Sequence, residues 1–482
     1  MNKKNEETLS VTPAPLFVIP WTGRVLIIGM GAVGRGLLPL LRCHFARGSI
    51  SIVAIDPDPR GAAEAENYGV EFLQTALTAE NYGAVIDAVF GGASNKFIVN
   101  VSTNVSSQAI IDYASRNGAL YVDTTIDPWP GVYFSADLPA VDRSNYSLRH
   151  SLLAARKQWQ GGPTAVSCCG ANPGAASWFV KQALLNLARD FGSPTSTPST
   201  SLQWAELMMQ LGVKGVHIAE RDWQIPAAPV SAATLTNTWS AEGFLAESLQ
   251  PAELGWGTHE KSFPVGGVRF GFGCDAAILI DRPSASVKVW TWTPTAGGHH
   301  AYLITHNEAI SISDYFTARD ERGVSFRPTC HYAYRPIDAA CAGIETVIAG
   351  GGASTTELRV LSEHDLTGGY NELGVLLYGH RRNAYWFGSR LSLSQARQLA
   401  PLQNATILQV TSAVLAGMAW AVANPRRGLV EAEEMDFAFC LQHQSPYLGE
   451  LFGTYTNWLP PRLLANVVHE DDCRWQFSNV RV

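Results

Sequence analysis

The chain has 482 residues, enough for two or three domains at roughly 100–200 residues each. It is 46% hydrophobic and 16% charged with a net charge of −7, which argues against nucleic acid as a partner because phosphate binding calls for a basic patch. Eight cysteines lie scattered, without a CxxC pair or a metal-type Cys/His spacing, and read as free thiols in the reducing cytoplasm, with no metal.

Residues 1–20 read as an N-terminal arm. The opening MNKKNEETLSVTPAP has no apolar run behind its lysines, so it is not a signal peptide. No stretch reaches the roughly 18 apolar residues of a membrane span, so no membrane partner is expected. From Arg24 strands and helices alternate: RVLIIG, then AVGRGLLPLLRCHFA, then ISIVAID over 50–56, VEFLQ over 70–74, NYGAVIDAVF, KFIVNVS over 96–102, SSQAIIDYASRNG and ALYVDT over 119–124. Continuous Val/Ile/Leu runs separated by helices imply a doubly wound parallel sheet covered on both faces. A helix near 142–158 and the strand TAVSCC over 164–169 follow, and then the character changes. Short strands rich in glycine and aromatic residues dominate from about 200 to 400, as expected of a second, mixed α+β domain. NATILQVTSAVLAGMAWAVAN over 404–424 is too apolar for a surface helix and should pack between layers. The expected organisation is a dinucleotide domain over 21–165 completed by the helix near 402–425, a substrate and dimerisation domain over 166–400, and a segment 426–482 packing back on the first domain.

The stretch GMGAVG carries Gly29, Gly31 and Gly34 between a strand and a helix, and Asp56 ends the next strand 22 residues beyond Gly34. Glycines at that spacing let the backbone, with Ala32 and Val33, approach a pyrophosphate at a helix N-terminus. The acid accepts hydrogen bonds from ribose hydroxyls and repels a 2′-phosphate, which favours NAD. The second half clusters acids and rings: Glu220 and Asp222 in HIAERDWQ, Trp239, Glu242 and Glu247 in NTWSAEGFLAE, and His306, Asn307 and Glu308 in THNE. From the residues alone, a lone acid reads as a solvated surface group and Trp239 more readily as a core ring than as a ligand platform. Cys168–Cys169 before GANPG reads as a small-residue turn rather than a thiol nucleophile, and Lys214 as structural rather than an imine-forming lysine.

Ten stretches in order, among them GMGAVGRG, AIDPD, TTIDPWPGVYF, AVSCCGANPGAASWFVKQAL, LGVKGVHIAERD, NTWSAEGF, LQPAELGWGTHE, THNEAISI, RPTCHYAY and LLYGHRRNAYWFGS, resemble the bacterial homospermidine synthases, relatives of saccharopine dehydrogenase. The resemblance runs from about residue 20 to the C-terminus. It implies a Rossmann domain plus a mixed second domain, and a homodimer. It implies a reaction joining two putrescines, or putrescine and spermidine, into sym-homospermidine with release of ammonia or diaminopropane, NAD being used and regenerated. Carried over by position, Asn172, Glu220, Trp239, Glu247, His306 and Glu308 form the catalytic set, with Asn172 also beside the cofactor. Asn104, Asp127 and Asp222 are the candidate substrate-binding residues. Trp239 is implied as a cation–π platform and the glutamates as ammonium holders or proton shuttles. One departure stands out: the strand end VNVSTN carries Asn104 where the family has an aspartate, and Asp127 is placed to compensate. Two alternatives remain at this point. A saccharopine dehydrogenase-like or carboxyspermidine-type oxidoreductase would show arginines gripping a carboxylate, and a catalytically silent NAD sensor would release no ammonia.

Overall fold

Seven parallel strands form the first sheet, in the spatial order 429–431, 165–167, 119–123, 96–100, 23–28, 50–56 and 71–74. The computed structural model describes residues 17–135, 137–193, 196–351, 357–461 and 474–482, so the expected arm lies outside it up to residue 16. The unbroken apolar run of Gly23–Ile28 has a simple cause. Val25 and Ile27 enter one core with Leu37, Leu41 and Leu415, while Leu26 and Ile28 enter the opposite core with Ile86, Val89 and Ile110. Helices Ala32–His44 and Ala405–Ala423 cover the first face, and Tyr82–Phe90 and Ser107–Arg116 the second. This is the doubly wound arrangement read from the sequence.

Helix Ala405–Ala423 packs against helix Ala32–His44 and strand Ala119–Asp123. One expectation is corrected here: by length and composition this helix is long and apolar enough to cross a membrane. Its most apolar window is 89% buried inside the protein, where the same hydrophobicity serves as core.

The second sheet has ten strands and is mixed. Its centre is the fully buried strand Gly215–Asp222, parallel to Thr329–Arg335 on one side and antiparallel to Tyr370–His380 on the other. Helix Ala175–Asp190 lies on strands Tyr370–His380 and Asn383–Ser392, so the chain leaves the first sheet at Ser167. The C-terminal segment differs from the expectation that it packs back on the Rossmann domain. Leu429–Glu431 does pair with Ala165–Ser167. Glu450–Thr456, however, pairs with Asn383–Ser392, and Arg481 bridges to Val289, both in the second sheet. The outer backbone groups of Asn383–Ser392 would otherwise be unpaired, and the tail satisfies them.

Candidate functional site

Strand Gly23–Ile28 ends in the glycine turn, where three facts make room for a dinucleotide. A Cβ on Gly34 would sit 2.1 Å from the Gly29 carbonyl oxygen, so only glycine lets helix and strand approach this closely. Gly29 has φ +97°, a region side chains disfavour. Gly31 caps helix Ala32–His44 without a side-chain bond, and a Cβ built on it meets nothing within 4 Å. The first-turn N–H groups are thus approachable by an anion. Asp56 ends strand Ile50–Asp56, and its carboxylate takes the Met30 N–H at 2.6 Å and the Asp58 N–H at 2.8 Å. It therefore braces the glycine turn itself, a task the sequence reading had not assigned. The residues fit NAD.

Val33 opens from this turn onto a cavity of about 660 Å³ between the two sheets. The Rossmann side contributes Asn104, Asp127 and the turn Gly170–Pro173. The second domain contributes strand Gly215–Asp222, helix Ala241–Leu249 and the start of helix Asn307–Tyr315. Four carboxylates line it, from Asp127, Glu220, Glu242 and Glu247, with the rings of Trp129, Tyr133, Phe134, Trp239 and Tyr332. No Lys or Arg among the described residues lines it.

Glu220 is 3% exposed. Its Oε2 accepts from the Tyr332 hydroxyl at 2.6 Å and from Asn172 Nδ2 at 3.0 Å, and its Oε1 from Asn371 Nδ2 at 2.7 Å. These neutral donors favour the anion, but burial outweighs them and pushes the carboxyl up to about 7. Burial likewise pushes Asp127 up to about 7, although Tyr133 donates to its Oδ1 at 3.0 Å; its buried Oδ2 has no partner among the described residues. Glu247 is pushed well up by burial and then by Asp127 and Glu220. His306 Nε2 lies 3.8 Å from Glu247 Oε1, yet burial drops the imidazole to about 3. The ring is therefore neutral, and this approach is a contact rather than an ion pair. Its ring leans on Tyr332 at 4.6 Å between centroids. Trp239 is half-buried, its indole resting where a Cβ on Gly243 would come within 2.9 Å.

Asn104, Asp127, Asn172, Glu220, Trp239, Glu247 and His306 thus meet at one cavity. Two candidates do not. Glu308 follows His306 and Asn307, and the helical turn aims it away from the cavity they line. Its Oε1 accepts the N–H groups of Gly174 and Ser177, each at 2.9 Å, and the Ser177 hydroxyl at 2.6 Å. It caps helix Ala175–Asp190 and ties the Asn172 turn to the His306 turn. Burial, with Glu433 near, raises its carboxyl to about 8. Asp222 lies two residues beyond Glu220, where the Thr238 hydroxyl at 2.7 Å and the Gln224 N–H at 2.9 Å fill its acceptor sites. It holds loops together and does not line the cavity. Lys214 lies outside it as well.

The sequence reading missed Tyr332, Asn371 and Tyr133, and gave no role to Glu242. For Tyr332 a signal existed, the buried tyrosine pair in CHYAYR on a strand beside Glu220.

Glu308→Ala should orphan the buried Gly174 N–H, while the Ser177 N–H keeps the Gly174 carbonyl at 3.1 Å, and cost about 1–3 kcal/mol. Denaturant unfolding checks this. A variant of unchanged stability would show that other groups hold the turn.

Two family models match the chain: the saccharopine dehydrogenase NADP binding domain over residues 25–166 and the saccharopine dehydrogenase C-terminal domain over 170–454. A homospermidine synthase of Blastochloris viridis is 50% identical over 466 residues, covering 95% of this chain and 97% of its own. One of Mesorhizobium japonicum is 47% identical, covering 96% of each chain. The crystal structure of the Legionella pneumophila homospermidine synthase in complex with NAD superposes with a TM-score of 0.88 at 38% identity, over 97% of this chain and 99% of that one.

Proposed function

The chain belongs to the homospermidine synthase family, and from that premise we propose how its cavity works. It is an NAD-dependent enzyme, and two putrescine dications are the substrates we assign to it, joined into sym-homospermidine with release of ammonia. The observation that carries this assignment is the cavity wall: four carboxylates, five aromatic rings and, among the described residues, no Lys or Arg. Such a wall suits a dication, since a buried ammonium needs a counter-charge and an aromatic face attracts it further. It offers no guanidinium to the carboxylate that a saccharopine-type or carboxyspermidine-type substrate would bring.

NAD, when bound, supplies the two-electron chemistry, accepting a hydride from the amine carbon and returning it to the later imine. The rest falls to side chains. Oxidation needs a neutral amine, and Glu220, poised near neutrality, takes the ammonium proton. Asn172 and Asn371 fix its carboxylate. Glu247 and Asp127 hold the remaining ammonium groups. Trp239 offers its face to the cationic nitrogen. The buried wall keeps water from the imine, which would otherwise hydrolyse to an aminoaldehyde. Charge closes over the cycle: two dications enter, and a trication and an ammonium ion leave.

The test is incubation of the protein with putrescine, with and without NAD. Homospermidine should form only with NAD and without net reduced nicotinamide; one reduced nicotinamide per product would overturn regeneration. Trp239→Ala should slow turnover by roughly an order of magnitude or more and Trp239→Phe less, because a desolvated cation–π contact is worth about 0.5–2 kcal/mol. Equal losses in the two folded variants would mean that packing, not the ring face, is at work. A cytoplasmic homodimer is the assembly we propose, and light scattering showing a monomer would refute it.

A further inference from the structure

We propose that Tyr332 is a catalytic residue, its hydroxyl carrying the proton between the substrate nitrogen and Glu220. The inference rests on the diamine reading above and adds a route for the proton within it.

Three donors meet the Glu220 carboxylate, and they differ in kind. Asn172 and Asn371 are amides. The Asn371 amide nitrogen is also engaged with Gln409 Oε1 at 2.9 Å, which leaves it holding Glu220 in place. An amide N–H does not release its proton to a carboxylate, so these two residues orient and do not relay. The Tyr332 hydroxyl can do both: it donates to Oε2 at 2.6 Å and its oxygen can accept in the same instant. Tyr332 lines the cavity. Its ring is clamped between Tyr334, stacked at 5.3 Å and 16°, and His306 at 4.6 Å, so the hydroxyl stays directed at Glu220. Oε2 already accepts two hydrogen bonds, from Tyr332 and Asn172, and a proton reaches that oxygen through the hydroxyl.

The step balances. An N–H bond of the substrate ammonium breaks as an O–H bond forms at the tyrosine oxygen, while the original phenolic proton passes to Glu220 Oε2. The ammonium becomes an amine, the carboxylate a carboxylic acid, and the tyrosine is unchanged. The reverse transfer charges the product's secondary amine. No phenolate is formed, in keeping with burial and the adjacent Glu220 carboxylate, which hold the phenol well above its ordinary range.

The test compares the full-length wild type with Tyr332→Phe. Putrescine affinity is measured by calorimetry across pH, and the first appearance of reduced nicotinamide by stopped flow. Tyr332→Phe should bind putrescine within about threefold of wild type and slow the first oxidation by roughly a hundredfold. Its binding should also titrate at higher pH than in wild type, because Glu220 loses a donor that favours the anion. A first oxidation within about threefold of wild type would mean that Glu220 takes the proton directly. Equal loss of affinity and rate, with no shift in the titration, would mean packing. Either result overturns the relay. Should the variant misfold, the wild-type rate in mixed light and heavy water decides: two protons in flight give a bowed dependence, and a linear or flat one overturns the proposal. If wild type itself yields no reduced nicotinamide with putrescine, the diamine reading fails instead, so the two failures are distinguishable.

Discussion

Glu220→Gln is expected to lower turnover of putrescine by roughly two to four orders of magnitude, the span of a general base's contribution, while the fold stays intact. The amide cannot take a proton. Three donors also converge on this side chain, and an amide has only one oxygen to offer them. The variant should differ in its pH behaviour too. Burial raises Glu220 from 4.5 to about 7. The folded state therefore keeps a proton that the unfolded chain releases first. The stability this contributes is fully present below pH 4.5 and is lost as pH rises through about 7, a change on the order of 3 kcal/mol. Glutamine removes that slope, so Glu220→Gln should be less sensitive than wild type between those limits. Putrescine prefers the ionised carboxylates, so its affinity in wild type should rise with pH through about 7, where Glu220 and Asp127 both titrate, with protons released on binding. Calorimetry in two buffers of different ionisation enthalpy reads this directly. Turnover of the variant within about threefold of wild type, or a wild-type affinity flat in pH, would remove Glu220 from the role of base.

How far the sequence reaches differs between the two halves. The Rossmann half is legible because its determinants are local: a continuous apolar run feeds two cores, and three glycines followed by an acid mark the turn. Helix Ala405–Ala423 was legible as buried because it is apolar on every side. The placement of Glu450–Thr456 was not, since an edge strand's partner is settled by which backbone groups remain unpaired some 60 residues earlier, at Asn383–Ser392. The same division runs through the site. The family resemblance, not residue type, pointed to Glu220, Trp239, Glu247 and His306. It could not say that Glu308, one step beyond Asn307, turns away to cap a helix, or that Asp222 is saturated by hydroxyl and amide groups. Tyr332 and Asn371 went unread because neither carries a charge to draw the eye. Their importance lies in touching Glu220 from neighbouring strands, a matter of tertiary register.

Arg149→Met should destabilise the protein by about 3–5 kcal/mol, more than any single cavity substitution. Arg149 is almost fully buried. Its guanidinium forks onto Glu431 at 2.6 and 2.8 Å and reaches Asp314 at 2.9 Å. It thereby ties helix Asn145–Ala155 to the last strand of the first sheet and to the helix that begins beside His306. Methionine fills the volume but leaves Glu431 without its cation. Glu433 is close by and already pushed up to about 7, chiefly by burial and then by Glu431, and Arg149 holds it down, so loss of Arg149 raises Glu433 further. The penalty is that of an unpaired buried charge rather than the worth of the pair, and this makes a sharper claim. Arg149→Met combined with Glu431→Leu should recover most of the lost stability, because a buried pair replaced by apolar residues of similar size is often neutral. Arg149→Lys should recover little, since a point charge does not reproduce the fork. Unfolding in denaturant at neutral pH measures all three. A double variant as unstable as Arg149→Met would show that the guanidinium's packing and its bond to Asp314, not charge pairing with Glu431, hold this part of the fold together.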